Sequence, residues 1–124
     1  MSIVSAFNSH FMDFVSDIES IFPDDADILM AKNQFMAARK ANPKLIVKIW
    51  KMYIGSKYLA EIESGNINFF ITKDYSSDLC DAKNSDKVMQ GIDRLRTPIS
   101  KMSNENQQKT MGYIQNLTKL ANMV

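Results

Sequence analysis

Val4, Phe7, Phe11, Phe14, Ile18 and Ile21 recur at intervals of 3, 4, 3, 4 and 3 residues. That spacing sets six large apolar side chains along one face of an α-helix, and no strand with a period of two can present them together. Val15 and Phe22 widen the stripe. Pro23 ends it, because its ring disfavours helix in the residue before it and its nitrogen has no proton to donate. A chain of 124 residues with only four glycines and three prolines also lacks the turn residues of an all-β fold.

The remaining elements follow from the same periodicity. Asp24, Asp25 and Asp27 sit where a second helix begins, complementing the positive end of its dipole. Its apolar side is read as Leu29, Met30, Met36 and Ala37, up to about Ala41, with Lys32, Arg39 and Lys40 toward its middle and end. Asn42-Pro43 reads as an N-cap followed by proline at the first helical position. The third helix is predicted to run unbroken to about Ser64 and to stop at Gly65. Its apolar face holds Leu45, Ile46, Ile49, Trp50, Met52, Tyr53, Leu59 and Ile62, with Lys44, Lys48 and Lys51 opposite.

Residues 66–83 fit two readings. Ile67, Phe69, Phe70 and Ile71 form either a short buried strand or a short helix facing Phe70 and Ile71 inward. A lone strand has no partner in this chain, so the helix is preferred and the rest is read as loop. Asn84 or Ser85 opens the next helix, where Val88, Ile92, Leu95, Ile99 and Met102 repeat at 4, 3, 4 and 3, with a break or kink expected near Arg96-Thr97 ahead of Pro98. Asn104 with Gln107 is read as a capping box opening the last helix, which presents Met111, Ile114, Leu117, Leu120, Ala121 and Val124. The fold class is therefore all-α. Residues 1–124 are expected to form one irregular orthogonal bundle of about five helices plus one short helical segment. Its first three helices should be antiparallel, with the C-terminal pair closing the other side.

The charges are segregated. Residues 1–31 hold six acids and no Lys or Arg, residues 32–58 hold seven bases and no acid, and residues 59–124 hold eight of each, for a net +1. The plain reading is that the acidic first helix and the basic block neutralise each other, within one molecule or between subunits. The basic block also carries Trp50, Tyr53 and Tyr58, a mixture that suits nucleic acid. Against that, these aromatics belong to the core side of their helix, and the pI of 7.8 is below the range of basic domains.

Few residues suit catalysis. His10 is the single histidine and has no nucleophile facing it, so it reads as a surface or boundary residue. Cys80, the single cysteine, lies near Asp78 and Asp81, which disfavour the thiolate, and it leaves no intrachain disulfide to form. The acids Asp74, Asp78, Asp81 and Asp86 miss the calcium-loop pattern, with Leu79 at the glycine position and Ser85 at the twelfth. Glycine-rich phosphate loops and nucleophile elbows are missing from the sequence. No cofactor, metal or small-molecule substrate is implied. The first 31 residues lack a basic leader region and no apolar run spans a bilayer, so the expectation is an intracellular protein in a reducing compartment with no membrane partner.

Ile92-Asp-Arg-Leu-Arg-Thr-Pro-Ile99, followed by Glu105-Asn-Gln-Gln-Lys-Thr-Met111 and Tyr113-Ile-Gln-Asn-Leu-Thr-Lys-Leu120, resembles a small uncharacterised helical protein family of the large nucleocytoplasmic DNA viruses that infect algae and protists. Phe22-Pro-Asp-Asp25, Ala41-Asn-Pro-Lys-Leu-Ile46 and Phe69-Phe-Ile-Thr-Lys-Asp-Tyr75, with Asp78-Leu79, extend the resemblance over nearly the whole chain. It implies a viral protein made in the host cytoplasm and a place in the virion, and it implies no catalytic residues. The expected function is then a non-enzymatic structural or adaptor protein acting on a protein partner, itself or viral. Its candidate contact residues are Asp13 and Asp17 against Lys44, Lys48 and Lys51, plus Arg94 and Arg96. An accessory nucleic-acid-binding factor using the basic face of the third helix is the alternative.

Overall fold

The computed structural model describes residues 2–55, 58–72 and 83–124. Among them there is helix and turn and no strand. The elements are α1 (Ile3–Ile21), α2 (Ala26–Ala41), α3 (Leu45–Ile49) running into a π-helical stretch (Trp50–Gly55), α4 (Leu59–Ser64), α5 (Asn68–Thr72), α6 (Lys83–Ser100) and α7 (Asn104–Asn122). The architecture is the expected all-α irregular bundle, with α6 packed along α2 and α7 along α1. The two C-terminal helices touch each other little, so each closes a different N-terminal helix instead of docking as a pair.

The Phe stripe of α1 is the centre of the core. Phe7, Phe11, Phe14, Val15 and Ile18 are buried, and Val4, Ile21 and Phe22 pack at its edge. Phe11 meets Phe35 of α2 edge-on at 4.7 Å and Trp50 edge-on at 6.0 Å, the geometry that sets a ring's positive edge against a negative face. Ser2 opens α1 by accepting from the Ser5 N–H at 3.0 Å. Asp25 opens α2 as the acids there imply, its Oδ1 accepting from the N–H groups of Asp27 at 2.9 Å and Ile28 at 3.2 Å.

Five readings of the sequence need correction. The apolar side of α2 is Ile28, Ala31, Phe35 and Ala38, while Leu29, Met30 and Met36 are about half exposed and Ala37 faces solvent. Two small alanines at positions 31 and 38 let α2 approach its neighbours closely, and that weighs more than side-chain size. Second, the third helix is not continuous. It widens into the π-helical stretch at Trp50 and breaks before α4, where Tyr58 leaves helical geometry at φ −122° and ψ 28°. Gly55, a weak helix former, lies in this stretch, and a β-carbon there would sit 3.5 Å from Thr118 Cγ2 of α7. Met52 and Leu59, read as core, are exposed, and Ile54 is buried in their place. At the far end the expected Gly65 does close α4, in the left-handed region at φ 77°.

Third, α6 passes through Pro98 and ends two residues later, at Ser100. So close to the C-terminus of the helix the proline removes one bond without ending the ladder, and Pro98 is itself buried. Fourth, the cap of α7 is Ser103, whose Oγ accepts from Asn106 N–H at 3.3 Å. Gln107 instead reaches back, donating to the Ile99 carbonyl at 3.1 Å and tying the α6–α7 turn. Fifth, Asn42 stands two residues before the N-cap position, which Lys44 holds, and its Oδ1 accepts from Lys44 N–H at 3.1 Å in the turn, so Pro43 precedes α3 and is not its first residue. The preferred helix at 66–72 is present as α5, with Phe70 buried and Ile71 partly so. The expected loop at 73–82, with Cys80, Asp74, Asp78 and Asp81, lies outside the described residues, as do the side chains of Tyr53 and Asp86.

Candidate docking surface

The ion pairs decide which charges are available to a partner. Glu19 of α1 pairs with Lys32 of α2 at 2.9 Å, and this contact joins the acidic block to the basic one. The other paired acids reach to the C-terminal half. Asp17 meets Lys109 of α7 at 3.1 Å, and Asp27 meets Arg94 of α6 at 3.0 Å. Arg94 also lies 3.7 Å from Met30 Sδ, and Arg96 pairs with Asp93 one turn earlier at 2.8 Å. Lys51 Nζ donates to the Val124 carbonyl at 2.8 Å.

The sequence-selected residues therefore separate. Asp17, Lys51, Arg94 and Arg96 are engaged inside the molecule, each contact being a half-exposed pair or bond of small stabilising value, about 0–1 kcal/mol. Asp13, Lys44 and Lys48 are exposed and take part in no ion pair among the described residues. The same holds for Arg39 and Lys40, in the last turn of α2. Within the molecule the acidic and basic blocks thus meet in one ion pair among the described residues, Glu19–Lys32. Asp17 and Asp27 are taken up by α7 and α6 and Glu19 by Lys32, and Arg39, Lys40, Lys44 and Lys48 remain outside these pairs as a cationic strip of the chain, from the last turn of α2 through the turn into α3.

Beside that strip lies a groove of about 520 Å³ between the start of α1 and the end of α2. Its lining combines apolar Val4, Met36 and Pro43, cationic Arg39 and Lys40, and the hydroxyls of Ser2 and Ser5. Asn8 also lines it. This side chain is 3% exposed; its Nδ2 donates to the Pro43 carbonyl at 2.8 Å, tying α1 to the α2–α3 turn. Its Oδ1 is buried and accepts no hydrogen bond. A buried acceptor left unpaired costs about 1–3 kcal/mol. A separate hollow of about 280 Å³ is lined by Val47, Lys48, Lys51, Met52 and Val124, where Met52 is exposed.

Asn8, Met36 and Arg39–Lys40 were not singled out as a site by the sequence. Asn8 carried a signal, since it stands four residues after Val4 and three before Phe11, on the apolar stripe, where a polar side chain needs a reason. Arg39 and Lys40, in the last turn of α2, also complement the negative end of its dipole, which by itself accounts for cations there.

The chemistry on the rest of the surface is sparse. His10 is half-buried, tilted against Tyr113 with ring centroids 5.0 Å apart, and its Nε2 has no hydrogen-bond partner. Its hollow is shared with Ala6, Asn116, Lys119 and Leu120 and contains no carboxylate. Among the described residues no cluster of His, Cys, Asp and Glu could hold a metal ion. No described helix is long and apolar enough to cross a membrane. Trp50 is fully buried, so it offers no stacking surface to a base. Comparison with family models, curated proteins and solved structures finds no match.

Proposed function

We propose that this small helical protein is a non-enzymatic adaptor or structural component that works by protein–protein contact. In the setting its sequence resemblance implies, it is a component of a large DNA virus, made in the host cytoplasm and carried in the virion. The observation that supports this reading is the strip Arg39, Lys40, Lys44 and Lys48, four exposed cations without an ion pair among the described residues, lying beside exposed apolar Met36. Charge of one sign next to accessible apolar surface is what a complementary acidic partner recognises, and the charges set encounter rate and register more than affinity. The buried Trp50 favours a protein over a nucleic acid as that partner, although the same four cations also suit phosphates.

Size-exclusion chromatography with light scattering, on the purified chain alone and mixed with extract of infected cells, tests the reading. A complex that dissociates as salt rises is the expected result. A monomer at every salt concentration that retains no viral protein contradicts it. Retention of an oligonucleotide at about 50 mM salt, lost on reversing Lys44 and Lys48, would favour the nucleic-acid reading instead. Mass spectrometry of purified virions tests the packaged location separately.

A further inference from the structure

We infer that the groove between α1 and α2 is a peptide-binding site, and that its occupant is an extended segment of another protein carrying acidic residues around an apolar anchor. This rests on the adaptor reading and gives it a site and a ligand chemistry. Two features each specify one part of the ligand, and a third holds the groove's wall. Val4, Met36 and Pro43 give the lining an apolar component that a purely ionic ligand such as free phosphate leaves unused. Arg39 and Lys40 in the lining, with Lys44 next in the chain after Pro43, select negative charge. Asn8 lines the same groove, and its amide nitrogen is held by the Pro43 carbonyl.

A peptide supplies both from its side chains, carboxylates for the cations and an aliphatic group for the apolar lining. Nucleic acid supplies the charge but no aliphatic anchor. At about 520 Å³ the groove is within the roughly 300–1,000 Å³ of sites that enclose small ligands and peptide side chains. Asn8 also pins this wall of the groove, because its bond to Pro43 joins α1 to the turn that carries Lys44.

The test uses the full chain and a fluorescein-labelled, amidated probe peptide of sequence Gly-Glu-Leu-Glu-Asp-Leu-Glu-Gly. Its controls are the same peptide with every acid replaced by its amide, and an oligothymidylate. Fluorescence anisotropy should show saturable binding of the acidic peptide, with at least about tenfold weaker binding of both controls, a ratio worth about 1.4 kcal/mol. Met36→Glu, at an exposed position, should weaken the peptide by a similar factor, and so should Arg39→Glu with Lys40→Glu. In ¹⁵N-resolved spectra the peptide should shift the Asn8 side-chain amide and leave the Asn116 amide, beside His10, unmoved.

Equal binding of the oligothymidylate, or indifference to Met36→Glu, overturns the proposal in favour of a general polyanion surface. Self-association abolished by Arg39→Glu with Lys40→Glu overturns it in favour of a second copy as occupant. If the peptide fails while Lys44→Glu with Lys48→Glu still breaks a complex with a viral protein, the groove site is wrong and the adaptor reading stands. If neither occurs, both fall.

Discussion

The ring of Phe35 on α2 lies directly over Gly91 on α6, with its Cε1 and Cζ 2.7 and 2.8 Å from where a β-carbon on Gly91 would be. The two helices approach as closely as they do because that position has no side chain. Phe35 cannot yield easily, since it is fully buried and set edge-on against Phe11. Gly91→Ala is therefore expected to destabilise the fold by about 1–3 kcal/mol, overpacking outweighing the gain in helix propensity. Gly112 in α7 has nothing within 4 Å of its β-position, so Gly112→Ala should stabilise by about 0.5–1 kcal/mol. Urea denaturation of the two variants should give shifts of opposite sign.

Trp50 at the head of the π-helical stretch donates its indole N–H to Thr118 Oγ1 of α7 at 3.0 Å, and both are buried. The threonine hydroxyl in turn donates to the Ile114 carbonyl at 2.9 Å. Thr118→Val keeps the shape but strands the indole proton, at an expected cost of about 1–3 kcal/mol. Thr118→Ser, which retains the acceptor, should recover much of that loss. Thermal unfolding monitored by the fluorescence of Trp50 reads both.

Asp25 closes two otherwise unpaired N–H groups at the start of α2. Asp25→Ala is expected to remove about 1 kcal/mol, and Asp25→Asn or Asp25→Ser only a fraction of that. Chemical denaturation of the three variants provides the comparison.

Arg39, Lys40, Lys44 and Lys48 have no ion-pair partners among the described residues. Reversal of Lys44 or Lys48 to glutamate should therefore leave stability within about 0.5 kcal/mol, and reversal of Arg39 or Lys40, which also complement the α2 dipole, should cost no more than about 1 kcal/mol each. A circular-dichroism melt checks this, and a larger loss would mean that the strip is structural.

Much of the fold was legible because α1, α6 and α7 each carry one apolar stripe at helical spacing, and one stripe admits one buried face. Helix α2 was misread because it carries two. Leu29, Met30 and Met36 are the larger side chains, yet the face with Ala31 and Ala38 is the one that packs. Side-chain size marks a buried face only when no neighbour needs to come close. The break in the third helix was marked by Gly55 but masked by the apolar residues on both sides. The site was half legible. Charge order along the chain exposed the basic block, but which cations stay unpaired depends on Asp17 reaching Lys109 and Asp27 reaching Arg94, contacts between residues far apart in sequence.

The most direct test of docking through this strip is photo-crosslinking in infected cells, with a photoreactive phenylalanine analogue in place of Lys44. The expected result is a discrete adduct that resists nuclease, is destroyed by protease, and is lost when Arg39 and Lys40 are both changed to glutamate. A nuclease-sensitive adduct, or no adduct at all, would contradict the account.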